Sequence, residues 1–372
     1  MELIPDVLAR TLPKLAGERW SVTRIQPPMP RRLTRAAGLR RSRLAYNADR
    51  LVARFFDYPR YLRGIGKDFD LFHLVDHSYS HLLHELPAGR TVVTCHDLDA
   101  FRCLLAPQEE RRSIAFRAMA RRVLSGFRLA AQVACNSLAT KGQVLRHGLH
   151  GAERLSVVYL PVRSEFRREP NASDAQVEEL LGPALSDAPE LLHVGSTIQR
   201  KRVDLVIKIF AGVRAEFPRA RLIRVGRLER EQKLLAEKLG VLGALVCLPQ
   251  VETPLLAALY RRAWALVLPS QAEGFGLPVA EALACGTPVV ASDLPSIREA
   301  GGEAAIYCPV GDVESFVAAT CELLRQRQQR DALWAERRAA GLTHASKFTT
   351  VEHARRTLTI YAGVVCAARS KD

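Results

Sequence analysis

Pro269-Ser270-Gln271-Ala272-Glu273-Gly274-Phe275-Gly276-Leu277-Pro278-Val279-Ala280-Glu281, continued by Ala282-Leu283-Ala284-Cys285-Gly286-Thr287-Pro288-Val289-Val290-Ala291-Ser292, decides the fold. It reads as a strand end, a glycine loop, a short helix and a second strand. Pro278 suits the first turn of a helix and Gly286 suits its C-terminal end. The loop 273–276 therefore lies directly before a helix N-terminus, where main-chain N–H groups lack helical partners and the dipole favours anionic or hydroxyl oxygens. Gly274 and Gly276 let a ligand come close to the main chain. Two carboxylates bracket the loop: Glu273 just before it, and Glu281, placed in the first helical turn where the dipole keeps it ionised. Both can accept hydrogen bonds from hydroxyl groups. Taken singly, Glu281 reads equally as a helix stabiliser and Glu273 as a solvated loop residue.

Outward from this stretch, short apolar runs alternate with helical ones, as parallel βαβ units require. The second half offers strands at 191–196, 221–226, 244–248, 265–269, 288–292 and 304–308. Between the first two, Val203, Leu205, Val206, Ile209, Phe210 and Val213 recur at helical period and predict a helix over 203–217 that covers a sheet. The first half repeats the logic less cleanly, with strands expected at 21–26, 71–75, 91–95 and 132–135 and helices at 115–128 and 138–147. A boundary falls near 160–165, followed by a polar stretch, 167–187, that reads as loop or short helix. The implied architecture is α/β, with two Rossmann-like domains.

A second chemical segment is His193-Val194-Gly195-Ser196-Thr197-Ile198-Gln199-Arg200-Lys201-Arg202-Val203-Asp204: a strand end, a glycine turn, three consecutive cations and a helix. Such cations beside a helix N-terminus suit an anionic group such as a diphosphate. Alone the segment would read as a solvated basic turn.

Together the two segments resemble the retaining family 4, or group 1, glycosyltransferases of GT-B fold, whose Glu-x7-Glu signature matches Glu273 to Glu281. The resemblance runs from about residue 191 to 365 and is most specific over 191–309. It implies an acceptor-binding domain over 1–162, a donor-binding domain over 163–348 and a C-terminal helix with tail, 349–372, crossing back to the first domain, with chemistry in the cleft between domains. It implies transfer of a sugar from a nucleotide-diphosphate sugar to a hydroxyl of a saccharide or lipid-linked saccharide, with no metal and no cofactor. Donor contacts fall on Gly195, Ser196, Arg200, Lys201, Glu273, Gly274, Phe275, Gly276, Leu277 and Glu281. Glu273 would orient the sugar, Glu281 the ribose, and Lys201 with Arg200 the diphosphate. The arginine common after the glycine is Ser196 here, and Arg200 is expected to compensate.

In the first half, Asp70-Leu71-Phe72-His73-Leu74-Val75-Asp76-His77 and Thr91-Val92-Val93-Thr94-Cys95-His96-Asp97-Leu98 look like strands whose carboxyl ends face a ligand. His96 matches the family histidine that reaches the transferred sugar; the competing reading is a histidine that fixes its loop. His77 is a weaker candidate for such a role, since His73, His77, His81 and His84 equally fit a polar helix face or surface cluster on their spacing; histidines four apart can hold a metal, but the family requires none. Two features depart from the family. Leu160-Pro161 stands where Asn-Gly is usual. The chain opens at Met1-Glu2-Leu3-Ile4-Pro5-Asp6, already resembling the first helix, so an upstream segment encoding the first strand and its glycine-rich turn is expected. The rival functions are a catalytically inactive nucleotide-sugar binder and a nucleotide-sugar 2-epimerase-like isomerase.

Composition sets the remaining bounds. The 372 residues are 48% hydrophobic, enough for two cores, and contain no run of eighteen apolar residues. The opening MELIPDVLARTLPKL lacks the layout of a secretory signal, so a cytoplasmic protein is expected. Eight cysteines show no zinc-ligand spacing, and most read as reduced core residues. The formal charge is +15, but 45 of 54 basic residues are arginine, a bias that weakens any argument from charge alone, and no nucleic-acid-binding motif accompanies it. The local excess is more informative: 31–63 carries ten arginines against Asp49 and Asp57, with Leu44, Leu51, Val52 and Phe55 at helical spacing. Two readings stay open, a helix packed on the first domain by that apolar face and a peripheral dock on an anionic membrane.

Overall fold

The computed structural model describes residues 3–66, 68–185 and 187–370. The chain forms two compact units, one running to Tyr159 and resuming at Val351, the other Leu160–Thr350.

The first unit is built on four parallel strands, β1 (Phe72–Leu74), β2 (Thr91–Cys95), β3 (Gln132–Cys135) and β4 (Leu155–Val157), adjacent in chain order. Val93, Phe101, Val123, Phe127 and Val133 make its core. Helix Ile114–Phe127 lies hard against the tight turns His77–His84, because Gly126 has no Cβ: one added there would sit 2.0 Å from the Ser80 carbonyl oxygen. Helix Thr350–Arg369 is tied into the same unit by His73 Nδ1 at 2.6 Å from the Tyr361 hydroxyl and His353 Nδ1 at 2.8 Å from Tyr159 O. The chain opens with helix Leu3–Ala16, as the resemblance to a first helix implies; Met1 and Glu2 lie outside the described residues.

The strand expected at 21–26 does not form; this stretch is irregular. Its apolar residues, Val22 and Ile25, are three apart and do not alternate, and Pro27-Pro28-Met29-Pro30 follows with main-chain donors missing. Arg24 is instead drawn to Asp6 and Gln26. Conversely, β4 is three residues long, too short to show a period.

All six strands expected in the second half are present: β5 (Glu190–Val194), β6 (Arg221–Val225), β7 (Leu245–Leu248), β8 (Ala265–Leu268), β9 (Val289–Ser292) and β10 (Ile306–Cys308). They form one parallel sheet in the order β10-β9-β8-β5-β6-β7. Its central strands are buried along their length, which is why they read as continuous apolar runs. Helix Val203–Glu216 buries Val206, Ile209, Phe210 and Val213 in the main cluster of this unit together with Val267, Val290, Phe316 and Leu324. Within 167–187, helix Ala172–Leu181 starts at a capping box in which Asn171 and Asp174 satisfy each other's main-chain N–H groups.

Candidate functional site

In an open parallel sheet, ligands bind beyond the carboxyl ends of the strands where the strand order reverses. That point in the second unit lies between β5 and β8, which pair through Leu191 with Ala265 and Leu192 with Leu266. The loops leaving these two strands are the two segments that carry the chemistry, so the topology alone brings residues 195–201 and 270–276 together.

Glu273 is the centre of the contact. Its Oε1 lies 2.5 Å from Lys201 Nζ and 2.7 Å from the Ser270 hydroxyl, and its Oε2 lies 3.4 Å from Arg200 Nη1. The loops are also joined through main chain: Gln271 N–H donates to Arg200 O at 2.7 Å, and Arg200 Nη1 donates to Ala272 O at 2.9 Å. Ser296 adds a bond to Glu273 O from the helix Pro295–Gly301. Lys201 is aimed by its neighbour, since Arg202 takes a left-handed conformation (φ 47°) held by its own bonds to Asp204. Such a backbone costs a non-glycine residue on the order of 1 kcal/mol, and it cuts off the short turn Gln199–Lys201 before helix Val203–Glu216 begins. Far from being a solvated loop residue, Glu273 has a side chain only 6% exposed.

Glu281 corrects an expectation. Helix Leu277–Ala284 starts at Leu277, so Glu281 is its fifth residue and lies beyond the first turn. Burial pushes its carboxyl up to about 8, against the opposing hydrogen bond from the Tyr260 hydroxyl at 3.0 Å. Desolvation thus outweighs the dipole expected to keep it ionised. Gly276 is required by its own backbone, at φ 95° before the helix, and packs against Ile297. The Phe275 side chain is buried edge-on against the Phe348 ring, so any ligand meets this residue through its main chain. Gly195, Ser196 and Leu277 keep accessible surface at the loop and helix start.

In the first unit, His96 follows β2, and its Nε2 lies 2.9 Å from Val75 O. A carbonyl can only accept, so Nε2 carries a proton and donates to it. The Asn136 side-chain amide donates to His96 O, and His96 N–H donates to His77 Nδ1. The four upstream histidines separate into different environments: His73 bridges Tyr361 and Thr94, His81 meets Arg54 O, and His84 meets Ser125. Among the described residues no cluster of His, Cys, Asp or Glu is arranged to hold a metal ion.

Three participants were not singled out from the sequence. Ser270 stands three residues before Glu273 and had a local signal in that spacing. Tyr260 and Ser296 come from separate helices and had none.

Residues 182–339 match the family of group 1 glycosyl transferases, and residues 6–166 match glycosyltransferase family 4. The chain belongs to the group 1, family 4 glycosyltransferases. A D-inositol 3-phosphate glycosyltransferase of Geodermatophilus obscurus is 32% identical over 225 residues, 57% of this chain and 49% of that protein, so the chain spans about half the length of that relative. The O-antigen chain mannosyltransferase B of Escherichia coli is 26% identical over 87% of this chain and 82% of its own. The fold is GT-B: HepE of Anabaena, solved with UDP and glucose, matches 84% of this glycosyltransferase and 82% of itself at a TM-score of 0.68 and 17% identity.

Proposed function

We propose that this glycosyltransferase moves a sugar from a nucleotide-diphosphate sugar to an acceptor hydroxyl, with retention of configuration and without a metal ion. The observation that carries the reading is the Glu273–Lys201–Arg200 contact at the reversal point of the donor sheet. It places an acceptor of sugar hydroxyls and two cations for a diphosphate within one group, ahead of a helix N-terminus. Lys201 and Arg200 would stabilise charge on the departing nucleoside diphosphate, Glu273 would orient the sugar, and Glu281 the ribose. His96 would contact the transferred sugar. Nucleotide release from a panel of UDP-, GDP- and ADP-sugars, with and without saccharide acceptors, tests this. Binding without turnover would replace it with an inactive binder, and sugar isomerisation without an acceptor with an epimerase.

The acceptor reading is a saccharide or lipid-linked saccharide in polysaccharide biosynthesis, in line with the Escherichia coli relative, an O-antigen chain mannosyltransferase. The basic segment 31–63 favours an acceptor presented at an anionic membrane surface. Three of the four residues of its apolar stripe do not pack inward: Leu44 is 81% exposed, with Leu51 and Val52 also exposed, whereas Phe55 packs on the core beside the His81 ring; Ala45, Asp49 and Ala53 are buried, and the neighbouring Phe56 is exposed. Arg32, Arg54 and Arg63 have protein partners in Asp57, Ser78 O and Glu85. The other seven arginines of the segment have none among the described residues, and each contributes about 1 kcal/mol near an anionic leaflet. No helix of the described residues is long and apolar enough to cross a membrane. Co-sedimentation with anionic vesicles that weakens in high salt and in Leu44→Asp is the expected result. Binding indifferent to salt and vesicle charge removes this part of the proposal.

A further inference from the structure

Strand β6 holds a charge that the donor reading leaves unused. Arg224 interrupts the apolar run Leu222-Ile223-Arg224-Val225 and is fully buried, at 0% exposure. A lone guanidinium taken out of water costs several kcal/mol unless a carboxylate meets it. Among the described residues none does. Arg224 Nε lies 3.3 Å from Arg227 O; Nη2 lies 3.2 Å from Gly195 O, 3.2 Å from Arg227 O and 3.5 Å from Ser196 O; Nη1 lies 2.5 Å from His193 Nδ1. His193 supplies no counter-charge. Burial first, and then the nearby Arg224 and Lys201, hold it well below the usual histidine range, and its protonated Nε2 is buried without a partner.

The geometry is built around this cation. Gly226 has φ 136°, and a Cβ there would stand 2.4 Å from Gly195 O and 3.1 Å from Arg224 Nη2. Only glycine lets the Gly195–Ser196 turn close onto the guanidinium. In a trans peptide the C=O and N–H point in opposite directions. By drawing in the carbonyls of Gly195 and Ser196, Arg224 turns the N–H groups of Ser196 and Thr197 away from itself. Ser196 is exposed, and neither N–H meets a protein acceptor among the described residues. The turn thus presents two outward donors above a buried positive charge, beside Lys201 and Arg200. Glu273 meets Lys201 and Arg200, and Glu229 Oε1 accepts from the Thr197 hydroxyl at 2.9 Å, so neither of these carboxylates reaches the Arg224 guanidinium.

We propose that Arg224 is a positioning residue for a bound nucleoside diphosphate: it sets the Ser196 and Thr197 N–H groups toward the phosphates, and its charge is compensated only when that anion is present. The inference rests on the donor-binding reading of the second unit. It predicts a residue whose loss harms ligand binding while sparing, or improving, the stability of the unliganded protein.

Isothermal titration of UDP, GDP and ADP, with the matching monophosphates and nucleosides, tests this on the full chain and three variants. Arg224→Met has similar bulk and no charge, Arg224→Gln keeps a donor for the carbonyls, and Arg224→Lys keeps the charge without the fork. For the diphosphate that the wild type binds, Arg224→Met should lose about ten-fold or more in affinity, with Gln and Lys intermediate. Affinity for the nucleoside should change by less than about two-fold, and the melting temperature of unliganded Arg224→Met should stay level or rise. Unchanged diphosphate affinity, or equal loss for diphosphate and nucleoside, overturns the proposal. If Arg224→Met fails to fold, Arg224→Gln carries the same comparison. If the wild type binds none of the nucleotides, the donor reading itself falls and takes this inference with it.

Discussion

Glu273→Gln strikes the site where charge and architecture coincide. The glutamine keeps the shape and removes the negative charge that faces Lys201 at 2.5 Å and Arg200 at 3.4 Å. An exposed ion pair contributes at most about 1 kcal/mol, whereas removing one partner of a buried pair costs about 3–5 kcal/mol. With side chains 6% and 13% exposed, the Glu273–Lys201 pair belongs near the lower end of the second range, and we expect a loss of about 3 kcal/mol. For a unit of about 190 residues, each kcal/mol moves the melting temperature by roughly 2–4 °C, so a fall of about 6–12 °C follows. Adding Lys201→Met removes the stranded ammonium and should restore more than half of that loss. Turnover should behave differently. It should fall by about 10²–10³ in Glu273→Gln, the scale for losing one electrostatic contact in a transition state, and should not recover in the double variant. Calorimetry of the wild type and the two variants and a nucleotide-release assay measure both quantities. A double variant no more stable than the single one would refute the ion-pair argument, and turnover within about three-fold of wild type would refute the role of Glu273 in transfer.

Glu281, held up at about 8 by burial, is mostly protonated at neutral pH. If ribose hydroxyls donate to its charged form, nucleotide binding should release a proton near pH 7 and strengthen as pH rises towards about 8, and Glu281→Gln should abolish both; titration in buffers of different ionisation enthalpy reads this out. The same raised value means that the folded state holds the proton longer than the unfolded one, so this group's contribution to stability declines as pH rises from the ordinary carboxylate range through about 8. His73, depressed to about 3 by burial, works the other way: the unfolded chain takes up a proton first, and stability falls as pH drops below about 6.5, by about 1.4 kcal/mol per pH unit, which thermal melts of His73→Gln should show flattened. His96→Ala should lower transfer more than it lowers nucleoside diphosphate affinity; equal loss of both assigns the residue to loop structure alone, through its bond to Val75 O. Treatment with EDTA should leave turnover within about two-fold, since the proposal gives the diphosphate charge to Lys201 and Arg200; a larger loss restorable by Mg²⁺ defeats the metal-free reading.

The second unit was legible because its strands are buried on both faces and so appear as unbroken apolar runs, and because the loops at its reversal point carry their chemistry in consecutive residues. Glu273 and Lys201 lie 72 residues apart, yet their meeting follows once β5 and β8 are adjacent. Environments were not legible. Whether Glu281 is charged depends on what covers it, including Tyr260 from another helix, and no local spacing reveals that. Arg224 did leave a trace, a charge inside the run Leu222–Val225, but the trace says only that something must compensate it.

The segment 31–63 shows the sharper limit. A helical period establishes that one face of 43–52 differs from another; it does not establish which one meets protein. Large apolar residues at Leu44 and Leu51 argue for the inside, and the structure puts them outside. What holds the helix is the opposite face, where Asp49 accepts hydrogen bonds from the main-chain N–H groups of Arg32, Leu33 and Thr34 and from the Thr34 hydroxyl. A buried carboxylate satisfied by a loop, flanked by the small residues Ala45 and Ala53, allows a close approach that a leucine face would prevent. The leucines are thereby free to serve as apolar anchors among arginines, the arrangement by which an amphipathic helix lies in a lipid interface. Substituting Asp49 by Ala should therefore unseat the helix and lower stability, whereas Leu44→Asp should leave the melting temperature unchanged and weaken vesicle binding alone.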